Sequence, residues 1–142
     1  MQHVRSMLRS QVQCVLATAT PKGQPATHLM AYAFSDDLRR VFMASGRHSQ
    51  KIEDVRANPS VSLLFDNRTG NISDHGDGML VTASGRAALC EKSQHELDRL
   101  HLLQRNPNMD SFLTREDVTV FSVAVDTYAV VVGYGQPELV KP

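Results

Sequence analysis

The sequence predicts a mainly β fold with a few short helices, a small closed or half-closed antiparallel barrel. Three observations predict it. About six segments are rich in β-branched and other apolar residues and are bounded by turn residues. Only three short segments have helical spacing, and the strands mostly follow one another without a helix between them. The 142 residues contain no linker, repeat or change of composition, so we predict one domain over residues 1–142.

The first half of the chain predicts two helices and four strands. Val4, Met7 and Leu8 recur at helical spacing and predict a helix over residues 3–11. Apolar runs predict strands over residues 12–20, 26–34, 40–45 and 60–66. The second helix begins near Ser49 and ends before Pro59, because the residue preceding a proline is disfavoured in the helical conformation.

The second half begins with a long polar loop at residues 67–78, and loops of that length are often functional. A long strand from Met79 follows, and Gly85 inside it predicts a bulge or bend. Residues 93–106 predict a helix. Two further strands are predicted at residues 118–125 and 128–132, joined by a turn at Asp126 and Thr127.

The composition excludes several classes of function. Apolar residues make up 42% of the chain, and 15 basic residues balance 15 acidic ones. A neutral chain argues against binding nucleic acid or anionic membranes, since both require excess positive charge. No apolar run is long enough to cross a membrane and no leader opens the chain, so we expect a cytoplasmic protein. Cys14 and Cys90 lie in apolar segments and are expected to be buried free thiols.

Neither a catalytic motif nor a metal-binding spacing is present in the sequence. The histidines are scattered over strands, loops and a helix, so we expect no metal site. Catalytic residues cannot be assigned. His28, His48 and His75 are the titratable side chains that we would test.

The start of the second helix is the best candidate for a binding site. If Ser49 is the N-cap, the amides of the next residues, its hydroxyl and the Lys51 ammonium could together hold an anion. Arg47 or His48 could then close over that anion. The same pattern is also typical of an ordinary serine-capped helix, and local spacing alone does not separate the two interpretations.

The order of these segments resembles the pyridoxamine 5′-phosphate oxidase-like, FMN-binding split-barrel family. The resemblance covers roughly residues 12–90, through "VLATAT-PKGQP-ATHLMAYAF", "RVFMAS…SQK", "IEDVRANPSVSLLFD" and "VTASGRA". It implies a six-stranded antiparallel split β-barrel of Greek-key type. It also implies a two-fold homodimer that holds two FMN molecules in grooves at the subunit interface.

The resemblance also implies which residues bind the cofactor. Ser49 and Lys51 would hold the FMN phosphate, with Gln50 between them and Ser45 near the ribityl chain. A larger set would lie along the flavin ring: the backbone of Thr27, His28, Leu29 and Met30, with Asn67 and Arg68, or Thr82 and Ala83 from the partner subunit.

Two departures from the family pattern reduce the positive charge of this site. His28 stands where the full-length oxidase carries an arginine, and Gln50 replaces the arginine of its Ser-Arg-Lys sequence. The longer C-terminal segment that contacts substrate phosphate in the true oxidase is also missing, so we do not predict pyridoxal phosphate synthesis.

We therefore expect an FMN-dependent oxidoreductase of unassigned substrate. One alternative is a non-catalytic flavin-binding or electron-carrier protein. Another is a member of the same fold that binds heme or deazaflavin, and a third is a cofactor-free barrel used for interaction.

Overall fold

The computed structural model describes residues 1–90 and 92–142 and shows one antiparallel sheet with short helices around it. The strands are β1 (Gln13–Ala19), β2 (Pro25–Ala31), β3 (Ala33–Phe34), β4 (Arg40–Gly46), β5 (Ser60–Asp66), β6 (Met79–Leu89), β7 (Val118–Val132) and β8 (Glu138–Val140). The α-helices are α1 (Gln2–Ser10), α2 (Gln50–Ala57), α3 (Asp74–Asp77), α4 (Lys92–Arg105) and α5 (Asp110–Leu113). A 3₁₀ turn, Pro107–Met109, precedes α5.

The sheet curls into a barrel because its two ends belong to one bent segment. The strand order is β2-β1-β5-β6-β7-β4-β3, and β8 adds to β7. Only Tyr32 separates β2 from β3, which stand at opposite ends of that order. Counting β2 and β3 as one bent strand gives six barrel strands, and the predicted split-barrel class is confirmed.

The connection from β4 to β5 sets the Greek-key character of the barrel and places the candidate site. These two strands are not neighbours in the sheet, so the chain between them, which contains α2, crosses one end of the barrel. Ile52 and Val55 of α2 are buried in the main core inside the barrel. The helix is therefore fixed against the barrel end by its apolar side chains.

Gly85 lies where β6 bends, as the sequence predicts. The register between β6 and β7 shifts between Ser84 and Gly85. A Cβ atom at position 85 would collide with the backbone carbonyl of Ala124, so the close approach of the two strands requires glycine.

The predicted pair of terminal strands is wrong, because β7 is one strand of 15 residues. Asp126 has no partner in the register, since Ser84 pairs with Thr127 and Gly85 with Val125. Asp126 is thus the extra residue of a β-bulge, and the strand continues through it. Pairing with β6 on both sides of Asp126 keeps the backbone extended where the local sequence predicts a turn.

A second, smaller core lies outside the barrel and holds α4 against β4 and β7. Phe42 and Val120 contribute to it from the sheet, and Leu102 contributes from α4. No helix in the described part of the chain is long and apolar enough to span a membrane.

Candidate cofactor site

Three of the predicted cofactor-binding residues meet at the barrel end where α2 begins: Ser49 and Lys51, predicted to hold the phosphate, and Ser45, predicted near the ribityl chain. The hydroxyls of Ser45 and Ser49 lie 2.8 Å apart, and Lys51 Nζ donates a hydrogen bond to Ser45 Oγ over 3.2 Å. Ser45 is buried at the end of β4, and Ser49 is the N-cap residue of α2. Two hydroxyls and one ammonium therefore converge on one point.

The first turn of α2 adds backbone donors to this cluster. The Ser49 side chain makes no capping bond, and its carbonyl accepts the amides of Ile52 and Glu53. Of the three amides that follow Ser49, which the sequence predicts to be free, that of Ile52 is therefore already bonded. The amides of Gln50 and Lys51 have no helical carbonyl to bond, as at every helix start, and they remain available to an anion.

Gln50 turns away from this cluster and into a buried hydrogen-bond network. Its Nε2 donates to Asp54 Oδ1 over 2.9 Å, and Thr18 Oγ1 donates to Asp54 Oδ2 over 3.2 Å. His28 Nε2 lies 3.0 Å from Thr18 Oγ1. These hydrogen bonds thus link His28 on β2, through Thr18 on β1, to Asp54 on α2.

Thr18 and Asp54 are the residues of this site that the sequence did not point to. Both are buried, and the Asp54 side chain has no exposure to solvent. A local signal exists for each of them. Thr18 continues the inward alternation of Cys14 and Leu16 along β1, and Asp54 lies on the side of α2 that is buried in the core.

The surroundings of His28 favour its neutral form. Burial is the main cause that lowers its pKa from the ordinary 6.5, and the positive charge of Lys51 lowers it further, while the charge of Asp54 partly opposes both. At neutral pH the imidazole is therefore uncharged and can both donate and accept a hydrogen bond.

The remaining residues predicted along β2 divide between the two faces of the strand. Thr27 and Leu29 point outward, and Leu29 is 66% exposed. Met30 points into the barrel core and can meet a ligand only through its backbone. Strand β2 comes close to β4 without pairing with it, so the backbone edge of β2 lines the opening of the barrel.

Leu29 begins a row of side chains that crosses the outer face of the sheet. The strand registers place the row in line, and its members are Leu29, Val15, Leu64, Thr82, Ala129 and Leu139. We call this set the outer row. Thr82 therefore lies on the same face as Leu29, whereas Ala83 points into the core.

Asn67 and Arg68 lie at the far end of β5 and are already engaged by the protein. Asn67 Oδ1 accepts the Met79 amide over 2.7 Å, which closes the base of the polar loop. Arg68 forms an exposed ion pair with Asp66 at 2.7 Å. Arg68 also lines a shallow cavity of about 210 Å³ together with Leu29, so it borders the outer row.

The three histidines singled out from the sequence do not come together. His48 is exposed in the turn before α2. His75 lies on α3, where its ring faces that of Tyr134 at 6.3 Å. Of the three, only His28 joins the hydrogen-bond network of Thr18 and Asp54. The described residues contain no group of three or more side chains able to hold a metal.

A cavity of about 660 Å³ lies outside the barrel, between α4, α5 and the start of β7. Its three arginines are engaged: Arg99 pairs with Glu96, Arg115 pairs with Asp117, and Arg47 donates to a backbone carbonyl. This cavity therefore offers less free positive charge than the site at the start of α2. Arg47 is turned into this cavity and does not close over Ser45, Ser49 and Lys51, which we call the α2 cluster.

Comparison with known proteins agrees with the fold. The pyridoxamine 5′-phosphate oxidase family model matches residues 1–129, which is most of the chain. A search of curated proteins gave no match.

Solved structures with the same fold include both heme and flavin proteins. A heme-binding protein from Mycobacterium smegmatis has a TM-score of 0.84 at 18% identity, over 96% of this chain and 55% of its own. The heme storage protein HutZ from Vibrio cholerae gives 0.74 at 15% identity, over 92% of each chain. An FAD-binding protein from Mesorhizobium loti gives 0.72 at 22% identity, over 91% of each chain. The chain thus spans little more than half of the M. smegmatis protein.

Proposed function

Because the chain belongs to the pyridoxamine 5′-phosphate oxidase family, we propose that it binds FMN and acts as an FMN-dependent oxidoreductase of unassigned substrate. The observation that carries this proposal is the convergence of Ser45, Ser49 and Lys51 at the start of α2. This convergence supports the proposal because the two residues expected to hold the FMN phosphate, Ser49 and Lys51, lie together with a second hydroxyl.

The donor set fits a phosphate monoester. Two hydroxyls, one ammonium and the amides at a helix start are groups that bind phosphate oxygens. Within residues 1–90 and 92–142, no carboxylate forms an ion pair with Lys51, so its charge is not cancelled by the protein. Gln50 and His28, which replace arginines of the family pattern, leave Lys51 as the main cation of the cluster.

Bound FMN would supply hydride or electron transfer, and the chain would bind and orient it. Lys51 and the two serines would hold the phosphate at the barrel end. The backbone edge of β2 would run beside the ring, and Leu29 would shield one side of it from water.

We also propose a homodimer, with the outer row as part of its interface. Leu29 and Leu139 are 66% and 71% exposed at the two ends of the row, and the residues between them are half-buried. A second copy placed on this face would cover these apolar side chains. Sedimentation of the purified protein should give twice the 15.7 kDa mass of the chain.

The spectrum of the purified protein tests the cofactor. We expect a yellow protein that releases a fluorescent flavin on denaturation, and oxidation of reduced nicotinamide by the flavin-loaded protein. A colourless protein that also fails to bind added FMN in a titration would refute the flavin proposal. Binding without turnover, over a range of donors and acceptors, would favour the electron carrier.

Heme is the second candidate, and the heme-binding structures of the same fold are what favour it. A red protein with Soret absorbance would support it. His28 is poorly placed to bind iron through Nε2, because that nitrogen already faces Thr18 Oγ1 at 3.0 Å. Competition between hemin and FMN for the same protein separates the two cofactors.

A further inference from the structure

The hydrogen-bond network beneath His28 has a defined direction. As a carboxylate, Asp54 can only accept hydrogen bonds, so the Thr18 hydroxyl must donate to it. Thr18 Oγ1 then has only lone pairs left for His28, so His28 Nε2 must be the donor in the second bond. The proton of the neutral imidazole is thereby placed on Nε2.

The other ring nitrogen faces a different environment. His28 Nδ1 has no hydrogen-bond partner among the described residues. Among the described residues, every fully buried polar side-chain atom has a hydrogen-bond partner. Since Nδ1 has no partner, it is not fully buried and is reached by solvent. One nitrogen of His28 is therefore anchored in the protein interior, and the other is presented outward beside the α2 cluster.

We propose that Thr18 and Asp54 are positioning residues that hold His28 as the Nε2-protonated tautomer and offer its Nδ1 to the bound ligand as a hydrogen-bond acceptor. The site would then select a ligand with two chemical features: an anionic phosphate for Lys51 and the serines, and an N–H or O–H donor for His28. The arginines that His28 and Gln50 replace could only donate hydrogen bonds. The acceptor at His28 Nδ1 is therefore a feature of this chain and not of the family pattern.

Charge around His28 keeps this acceptor available at neutral pH. Lys51 and Asp54, both on α2, are the charged groups whose fields act on the imidazole, and Thr18 on β1 is neutral. On acidification a proton would add to Nδ1, and His28 would then become a donor. As the pH falls, His28 should therefore no longer accept a hydrogen bond from the N–H or O–H of the ligand. The protonated imidazole would instead add a positive charge beside the bound phosphate.

The direction of the network can be tested without any ligand. In nitrogen-15 NMR spectra of the ligand-free protein at neutral pH, we expect His28 to show a protonated Nε2 and an unprotonated Nδ1, with an N–H proton slow enough in exchange to be seen. His28→Gln assigns the signals. The N–H signal should disappear in Thr18→Val, which lacks the hydroxyl, and persist in Thr18→Ser, which keeps it.

Asp54→Asn provides an independent measurement on the same histidine. Removing the negative charge should lower the pKa of His28 further, because the carboxylate is the group that raises it. A protonated Nδ1 in the wild type, or Thr18→Val and Asp54→Asn spectra and titrations identical to the wild type, would overturn the proposal.

The consequence for binding rests on the proposed function, and its test is separate. In an FMN titration, Thr18→Val should weaken binding about three- to ten-fold and Thr18→Ser much less, as for one lost hydrogen bond. Equal affinity of the two variants would overturn the role of Nδ1 in recognition. If the wild type binds no FMN, the proposed cofactor fails, whereas the NMR result still decides the tautomer.

Discussion

Asp54 on α2 and Asp98 on α4 are both fully buried carboxylates, and each accepts a hydrogen bond from a glutamine four residues earlier. Their other partners differ. Asp98 forms an ion pair with Arg40 at 2.8 Å, and the Cys90 thiol donates to it.

Asp98, Arg40, Ser122 and Cys90 bond one another, and we call this set the closed network. Arg40 bonds Ser122 on β7 as well as Asp98, and its guanidinium lies over the Phe42 ring. The network therefore joins α4 to two strands, and its buried carboxylate is paired directly with a cation. Burial is the main cause that raises the pKa of Cys90 to about 12, with the bond to Asp98 adding to it, so its thiol stays protonated.

The hydrogen bonds of Asp54 instead lead, through Thr18, to the His28 imidazole, which reaches solvent, and we call this set the open network. No guanidinium or ammonium in the described chain forms an ion pair with Asp54. A buried carboxylate without a direct cation is less stabilised than one that has it. The comparison indicates that Asp98 holds α4 to the barrel, whereas Asp54 serves the candidate site.

The largest expected effect is on the closed network. Arg40→Leu leaves the Asp98 carboxylate buried without its cation, and we expect a loss of about 3 kcal/mol in the free energy of unfolding. Urea unfolding followed by circular dichroism measures it. Arg39→Leu, at the exposed neighbouring position, should change stability by less than about 0.5 kcal/mol. Equal effects of the two variants would show that the ion pair is not structural.

A substitution in the α2 cluster, beside the open network, should change ligand affinity rather than the free energy of unfolding. Lys51→Ala removes a charge-assisted contact to phosphate, so FMN affinity should fall about ten-fold or more. Lys22→Ala, in the exposed turn between β1 and β2, is the matched control. Unchanged affinity in Lys51→Ala would make Lys51 an ordinary residue of the helix surface, and a large loss of stability would assign it to the fold.

The two glutamines allow a finer comparison, because each spans the same four-residue interval on a helix. Gln94→Ala should cost about 1 kcal/mol of unfolding free energy, since it removes a donor from a buried carboxylate. Gln50 is exposed, so Gln50→Ala should cost only about 0.5 kcal/mol. The reverse order, measured by urea unfolding, would contradict the assignment of the stronger structural role to Asp98.

The smallest expected effect is a pH dependence from His28. Its pKa is lowered in the folded protein, so the unfolded chain binds more protons below about pH 6.5. The contribution of His28 to stability is thus fully present above that pH and is lost as the pH falls through the folded pKa. Unfolding measured from about pH 8 to about pH 5.5 should show a shallower decline for His28→Gln than for the wild type.

The barrel was predictable from the sequence because its signals are local. Apolar runs, the proline after α2 and the glycine of the β6 bend each act within a few residues. Strand β7 was misassigned because its pairing partners lie far away in the chain. Pairing with β6 on both sides of Asp126 holds that residue in a bulge although its own neighbours favour a turn.

The candidate site was predictable only in part. Ser45, Ser49 and Lys51 follow from the resemblance and lie together in the structure. The Thr18–Asp54 contact joins residues 36 positions apart, so spacing along the chain carries no sign of it. It arises because α2 crosses the barrel end above β1, which only the folded topology determines.

Strand β7 has a consequence for biosynthesis. It pairs with β4 and β6, and its later residues also pair with β8, so three strands depend on this one segment. Until the ribosome has made residues 118–132, the edges of β4 and β6 that pair with β7 have no partner. Nascent chains that lack this segment would therefore present open strand edges to chaperones, and the barrel would close only after the segment has been made.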